Sequence, residues 1–268
     1  MINKVFNPDT YWEDRLKNIK GLEGVGFKKL GLSFNKWAYK VRKNVFLKNV
    51  KALNFNFSES TVLDIGSGTG FYIQIWNELL CSKITGVDIT NTAVENLKKT
   101  FPNNIFFQSD IGDKNFNALN QYQTYHLVSA MDVLFHIVDD SRFEQAIANI
   151  STLIKKNGYF IYSDNFLNKK TFRGESQVLR TKSYLLEVFK RNGLEIELLK
   201  PFMYITAKPL ETKNIFLKSY WWILENGLYA FPFMGNVIGL LIYPLELFLV
   251  SNSKNSPTTE FAIFKKIK

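Results

Sequence analysis

The chain has 268 residues, with 34 Lys and Arg against 24 Asp and Glu, a formal net charge of +10. Its 46% hydrophobic content, with only 15 Gly and 7 Pro, excludes a disordered chain, and the length suits one α/β domain with an elaboration or two small domains. One cysteine, Cys81, and two histidines exclude an internal disulfide and any Cys- or His-rich metal centre, so no metal is expected.

The excess of positive charge favours acidic partners such as nucleic acid, anionic lipid or a phosphorylated substrate. An ordinary solvated basic surface is the competing reading. The first fifteen residues lack the long apolar core of a signal peptide, so a cytoplasmic location is expected. A peripheral position at the inner face of a membrane is the second option.

Taken in order, Asn7 to Asn18 opens with a cap and a breaker (Asn7-Pro8-Asp9) and predicts a helix. Gly21 to Gly31 reads as a glycine-punctuated loop. Phe34 to Leu53 places Trp37, Val41, Val45, Leu47 and Val50 at helical spacing, with lysines and Arg42 assigned to the opposite face. That basic face suits lipid or a substrate phosphate; an ordinary amphipathic helix is the plainer account.

Thr61 to Phe71, TVLDIGSGTGF, is the most informative stretch. Three β-leaning residues feed Asp64, and Gly66, Gly68 and Gly70 follow at alternate positions before a helical run. Glycine accepts positive φ and lets a ligand approach the main chain. The helix start behind it offers free N–H groups and partial positive charge, so the turn can hold a polar or anionic part of a cofactor. A dinucleotide fingerprint needs its last glycine where Phe71 stands, and a P-loop needs a lysine that is absent.

A second strand, Ile84 to Ile89, ends in Asp88. An acid there, about twenty residues beyond a glycine turn, suits the two hydroxyls of a ribose, since an ionised carboxylate only accepts hydrogen bonds. Ile89 can lie against an adenine face. Asn91 to Thr100 predicts a helix, and Asn104 to Asp110 a third strand with Asp110 at its end. Asp110 has a plainer reading as the turn residue before Gly112.

His126 to Asp140 predicts a fourth strand running into a turn, with Ala130, Met131 and Asp132 at its C-terminal end and His136 just beyond. Ser141 to Ile154 predicts an amphipathic helix closed by Lys155 to Gly158. A fifth strand, a loop containing Arg173 and Arg180, a capped helix ending at Gly193 and a sixth strand follow. From Asn226 to Leu245 no residue is charged. The length is near one membrane span, but Pro232 and Pro244 and the flanking Glu225 and Glu246 argue against a crossing. A helical cap over an acceptor pocket and a surface that dips into lipid are the two readings kept.

The D-x-G-x-G-x-G run at Asp64 to Gly70, with Asp88 closing the next strand, resembles motif I and its sequel in the class I S-adenosylmethionine (SAM) methyltransferases. The likeness covers about Thr61 to Gly193. It implies an α/β, Rossmann-like, seven-stranded and mostly parallel sheet with helices on both faces. The family's last, antiparallel strand is then best sought at Glu260 to Ile267. The resulting division is an N-terminal helical segment (1–57), a SAM-binding core (58–205), an aromatic-rich helical insertion (206–258) and a final strand (259–268).

The resemblance also implies the site. SAM would lie on Asp64, Gly66, Ser67, Gly68, Gly70, Asp88, Ile89, Asp110, Ile111, Ala130 and Met131, with Tyr11 and Arg15 closing over it. Asp64 would stand near the ammonium and Asp110 would accept from the adenine amino group. His136 would act as a general base or position the acceptor, with Asp132 orienting it or the substrate. Arg180, Tyr220 and Trp221 are the substrate-binding candidates. The Asn/Asp-Pro-Pro-Tyr/Phe run of base- and amino-N methyltransferases is absent. The expected acceptor is therefore an oxygen of a small molecule, a glycan or a lipid-linked compound. Nucleic acid is the minority partner, through an RNA-directed activity, and a silent SAM-binding scaffold is the other alternative.

Overall fold

The computed structural model describes residues 6–19, 21–53, 55–116 and 124–268. In chain order the helices are α1 (Pro8–Asn18), α2 (Leu22–Val25), α3 (Gly31–Lys51), α4 (Phe71–Glu78), α5 (Asn91–Thr100), α6 (Asp140–Leu153), α7 (Lys182–Arg191), α8 (Ile215–Ala230) and α9 (Gly235–Asn252). The strands are β1 (Thr61–Ile65), β2 (Lys83–Asp88), β3 (Ile105–Gln108), β4 (Tyr125–Met131), β5 (Ile154–Asp164), β6 (Phe172–Arg173), β7 (Val178–Leu179), β8 (Leu194–Pro201) and β9 (Glu260–Lys266). The chain divides into two compact units. Unit 1 holds residues 1–18, 56–198 and 262–268, and unit 2 holds 19–55 and 199–261. The expected N-terminal segment 1–57 thus contributes to both.

Among the described residues a seven-stranded sheet runs in the order β3-β2-β1-β4-β5-β9-β8. Strands β1 to β5 pair in parallel. The interiors of β1 and β4 are buried and mostly apolar, as a parallel sheet covered by helices requires. Bonds from the Phe202 N–H to the Thr259 carbonyl and from the Ile267 N–H to the Gly193 carbonyl bracket an antiparallel β8–β9 pair. The last strand therefore lies between the fifth and the sixth long strands of the sheet, and β6–β7 forms a small separate hairpin.

From β1 the chain steps outward to β2 and β3, then crosses back to β4 on the other side. Ligands of open α/β sheets bind beyond the strand ends at such a reversal. Local chemistry fixes the helix starts. Side-chain oxygens of Thr90, Asp139, Thr181 and Asn214 accept from the first turns of α5, α6, α7 and α8, each contributing about 1 kcal/mol.

Three expectations need correction. Gly21 to Gly31 is not plain loop: it contains α2 and a 3-10 turn, Lys28–Leu30. Lys155 to Gly158 does not cap α6. The strand begins at Ile154, already paired with Tyr125, and Asn157 at φ 63° falls where the β4–β5 register shifts. Arg42 does not share the solvent face of α3. It stands four residues from both Ala38 and Phe46 on the buried stripe, with its guanidinium over the rings of Tyr39 (4.7 Å) and Phe27 (5.8 Å).

In unit 2, α9 packs closely on α3. A side chain at Gly239 would meet the Trp37 ring at 2.2 Å, and one at Gly235 the Phe34 nitrogen at 2.7 Å. Trp221, Leu224 and Leu228 of α8 join Leu30 and Phe34 in this unit's core.

Candidate active site

The turn after β1 has the backbone that its glycines predict: Gly66, Gly68 and Gly70 have φ of 68°, 52° and 83°. Gly70 caps α4 in the left-handed conformation. The N–H groups of Gly66 and Ser67 both donate to the Val87 carbonyl, at 2.7 and 3.2 Å, which ties the turn to the end of β2. A Cβ on Gly66 would lie 2.4 Å from a methyl of Val133, in the turn after β4. Gly66 therefore lets Val133 pack directly against the backbone of the turn.

Asp88 stands at this crevice. The Gly68 N–H donates to its Oδ2 at 2.8 Å, and the backbone and hydroxyl of Thr90 donate to its Oδ1 at 3.0 and 2.8 Å. The two features that the sequence pairs, glycine turn and strand-ending acid, are in direct contact. Burial raises the Asp88 carboxyl above its ordinary range, against the pull of those donors. A carboxylate has about four acceptor sites, so room remains for about one hydroxyl donor.

Asp64 lies inside the sheet. Its Oδ1 accepts from Ser129 Oγ at 2.6 Å, and Ser129 in turn accepts from Trp76 Nε1 at 3.1 Å. Burial pushes the Asp64 carboxyl up to about 7. The residue thus links β1 to β4 and α4. Ser67 sits in the turn, its hydroxyl donating to the Asp64 carbonyl at 3.0 Å.

Asp110 lies past the end of β3 rather than in it. Its Oδ1 accepts from the Gly112 N–H at 2.8 Å and its Oδ2 pairs with Arg142. The turn-residue geometry is therefore present. Ile89 is half-buried after β2, Ile111 is buried beside this turn, and Ala130 and Met131 are buried at the end of β4.

Beyond β4 the backbone turns at Asp132, φ 58°. Ser163 of β5 holds this residue, accepting from its N–H and donating to its Oδ1, both at 2.8 Å. A 3-10 turn then presents His136. The His136 Nδ1 lies 2.8 Å from the Ser176 carbonyl, a pure acceptor, so Nδ1 carries the proton and Nε2 is left as the acceptor. Burial lowers the imidazole to about 4, so it is neutral at physiological pH.

Helix α1 joins the two halves of the site. The Thr92 backbone and hydroxyl, in the first turn of α5, donate to Glu13 at 3.2 and 2.6 Å. Trp12 meets the His136 ring edge-on, centroids 4.8 Å apart. Arg15 lies over Trp12 at 5.0 Å and donates to the Tyr11 hydroxyl at 3.2 Å. Tyr11 and Arg15 therefore reach the site chiefly through Trp12.

Arg180 is fully buried. It donates to Asp140 Oδ1 at 3.0 Å and to the Ile137 carbonyl at 2.8 Å, and its Nη1 is buried without a hydrogen bond. At the end of β5, the Tyr162 hydroxyl donates to Asp164, whose carboxyl burial pushes up to about 6. Tyr220 and Trp221 belong to unit 2, where Trp221 is a core side chain and Tyr220 packs against the same cluster. Sequence reasoning missed Ser129, Ser163, Ser176 and Glu13 as supports. Each acts across a long stretch of chain and leaves no local signal.

The model of a methyltransferase domain family matches residues 62–158. No curated protein matches the chain. Several solved structures share the fold. Magnesium protoporphyrin IX methyltransferase from Synechocystis, solved with bound SAM, is 16% identical, with 75% of this chain and 92% of that one covered and a TM-score of 0.52. A complex between a methyltransferase activator and a methyltransferase candidate of Haloferax volcanii gives 16% identity, 88% and 98% coverage and 0.52. The cyclase SpnF gives 14% identity, 78% and 76% coverage and 0.51. At these identities the structures establish the fold alone, and a cyclase among them shows that the fold does not fix the reaction.

Proposed function

We propose that this SAM-dependent methyltransferase, matched to a methyltransferase domain family over residues 62–158, transfers its methyl group to an oxygen carried by a small molecule, a glycan or a lipid-linked compound. SAM supplies an activated methyl on a sulfonium. The residues present fit it. The Gly66–Gly70 turn, whose positive-φ glycines leave the main chain bare, would take the amino-acid end, and Asp88 would take a ribose hydroxyl.

One observation carries the acceptor reading: His136 is a neutral imidazole whose Nδ1–H is held by Ser176, leaving Nε2 as the lone pair. A hydroxyl acceptor donates to such a nitrogen and is thereby aimed. A base near 4 is too weak to strip an alcohol in advance. It suffices once the oxygen gains a third bond and becomes strongly acidic, so His136 removes the proton late. The Ser176 carbonyl and the charge of Asp132 favour the imidazolium that results, against the charge of Arg15. Orientation supplies most of the remaining advantage.

The test uses SAM labelled in the methyl group and panels of hydroxyl, carboxyl and amine acceptors. Label in a hydroxyl acceptor, as an ether stable to mild alkali, supports the proposal. Label found only in amines overturns it.

A further inference from the structure

We propose that unit 2 is a membrane-docking module: the α8–α9 hairpin lies in the interface of an anionic bilayer, held by a basic stripe on α3. Three observations carry this, none of them dependent on the methyl acceptor.

The first is exposure. Among the described residues, thirteen of the twenty-two exposed large apolar side chains fall between Ile215 and Phe248. They follow a pattern. On α9 the outward residues Val237, Leu241, Leu245 and Phe248 recur at helical spacing, opposite the inward Gly235, Gly239, Glu246 and Val250. Trp222, 67% exposed, and Phe233, 75% exposed, continue the surface on α8 and at the hairpin tip. An apolar surface of this extent is far beyond scattered exposure and marks a contact with a partner or a membrane.

The second is the treatment of the one acid in α9. Glu246 is turned inward and fully buried, its carboxylate accepting from the N–H groups of Tyr204 and Ile205 and the hydroxyl of Thr206, each at 2.7 Å. The outward face of α9 is thereby left without charge.

The third is the charge division, which names the occupant. Unit 2 carries fourteen Lys and Arg against five Asp and Glu, a balance of +9. The larger unit 1 carries twenty against nineteen, a balance of +1. Lys36, Lys40, Lys43 and Lys51 form one stripe along α3. The Lys40 ammonium lies 4.6 Å from the ring of Tyr243, on the flank of α9 between its inward and outward faces. Cations beside an uncharged apolar face are what an anionic interface binds, at about 1 kcal/mol per basic residue near the surface. A second copy of the chain would instead bring like charge against like.

The hairpin lies on the bilayer rather than crossing it. Within residues 232–252 an 18-residue window has a mean hydropathy of 1.8, enough for a span by composition. But α8 has 16 residues, about 24 Å of helix against a hydrocarbon core of about 30 Å. The inner face of α9 is committed to α3, and the strands before and after the hairpin belong to one sheet.

The test is co-sedimentation of the full chain with vesicles of phosphatidylcholine, with and without phosphatidylglycerol. The bound fraction should rise about tenfold or more with phosphatidylglycerol and fall with salt. Trp222→Ser with Leu241→Ser should abolish binding to both vesicles. Lys36→Gln with Lys51→Gln should remove the preference for phosphatidylglycerol. All variants should keep wild-type SAM affinity by calorimetry, which shows that the protein is still folded. The proposal is overturned if the chain ignores both vesicles. It is overturned equally if the apolar variants only dissolve a dimer, or if unit 2's charge serves saturable RNA binding without lipid binding.

Discussion

Unit 1 and unit 2 solve opposite problems with similar materials. Unit 1 is nearly neutral overall and turns its working polar groups inward, to the ends of β1, β2, β4 and β5, where Asp64, Asp88, His136 and Asp164 are shifted by burial. Unit 2 carries nearly all the net charge and turns apolar side chains outward. Perturbed ionisation in a crevice is the mark of chemistry, and an exposed apolar face is the mark of contact. The two units should therefore fail separately, and each substitution below asks whether they do.

The largest effect is expected from Gly66→Val. It places a side chain where φ is positive and where Val133 already stands. Strain and overpacking together should cost about 2–4 kcal/mol of stability, and SAM binding should fall below detection by calorimetry, while vesicle binding persists at temperatures where the protein stays folded. Loss of both functions together at low temperature would break the comparison.

Next is His136→Ala. Removal of a group that accepts a proton in the transition state should cost about 10²–10⁴ in kcat, with little change in SAM affinity. A loss of only a few-fold would leave His136 as a positioning residue and would point to an acceptor that is already ionised.

Trp12→Ala should act more mildly. It removes the edge contact to His136 and the support under Arg15. An aromatic contact is worth about 0.5–1.5 kcal/mol beyond its area, so a rise of about tenfold in KM for SAM is expected, measured by initial rates. An unchanged KM would remove α1 from the site.

The smallest effect is on pH dependence. The folded pKa of His136, about 4, lies below its ordinary value of 6.5, so the unfolded chain binds the extra proton between them. Its contribution is present above pH 6.5 and lost as pH falls towards 4. Asp64 and Asp164, raised to about 7 and about 6, run the other way: their contribution is present below 3.8 and lost as pH rises through those values. The opposing trends predict a shallow melting profile between pH 4 and 6.5. His136→Gln should gain relative to wild type as pH falls through that window, read as Tm. No relative gain would mean that the imidazole is not neutral in the folded protein.

The sequence discloses unit 1 better than unit 2 for a physical reason. A positive φ favours glycine, so the turn after β1 is written in three alternate letters, and a strand end that accepts a hydroxyl needs one acid at a fixed distance. Local rules also mark α7 as a capped helix. What supports the site is not local. Ser129 under Asp64, Ser176 behind His136 and Ser163 beneath Asp132 are ordinary serines until the sheet brings them together. Arg42 lies on the buried stripe because spacing outweighs residue type: it stands one helical turn from both Ala38 and Phe46. In unit 2 the uncharged run was visible in the chain, but which residues face outward depends on the glycine contacts with α3.

The most direct measurement is titration calorimetry of SAM into the wild-type chain and into Asp88→Ala, with a melting curve to confirm that the variant is folded. If the glycine turn and Asp88 hold one ligand between them, the wild type binds SAM and the folded variant loses about 100-fold or more in affinity, consistent with removal of a charged group's hydrogen bonds. A wild-type chain indifferent to millimolar SAM, or a folded variant that binds it as tightly, would contradict the account.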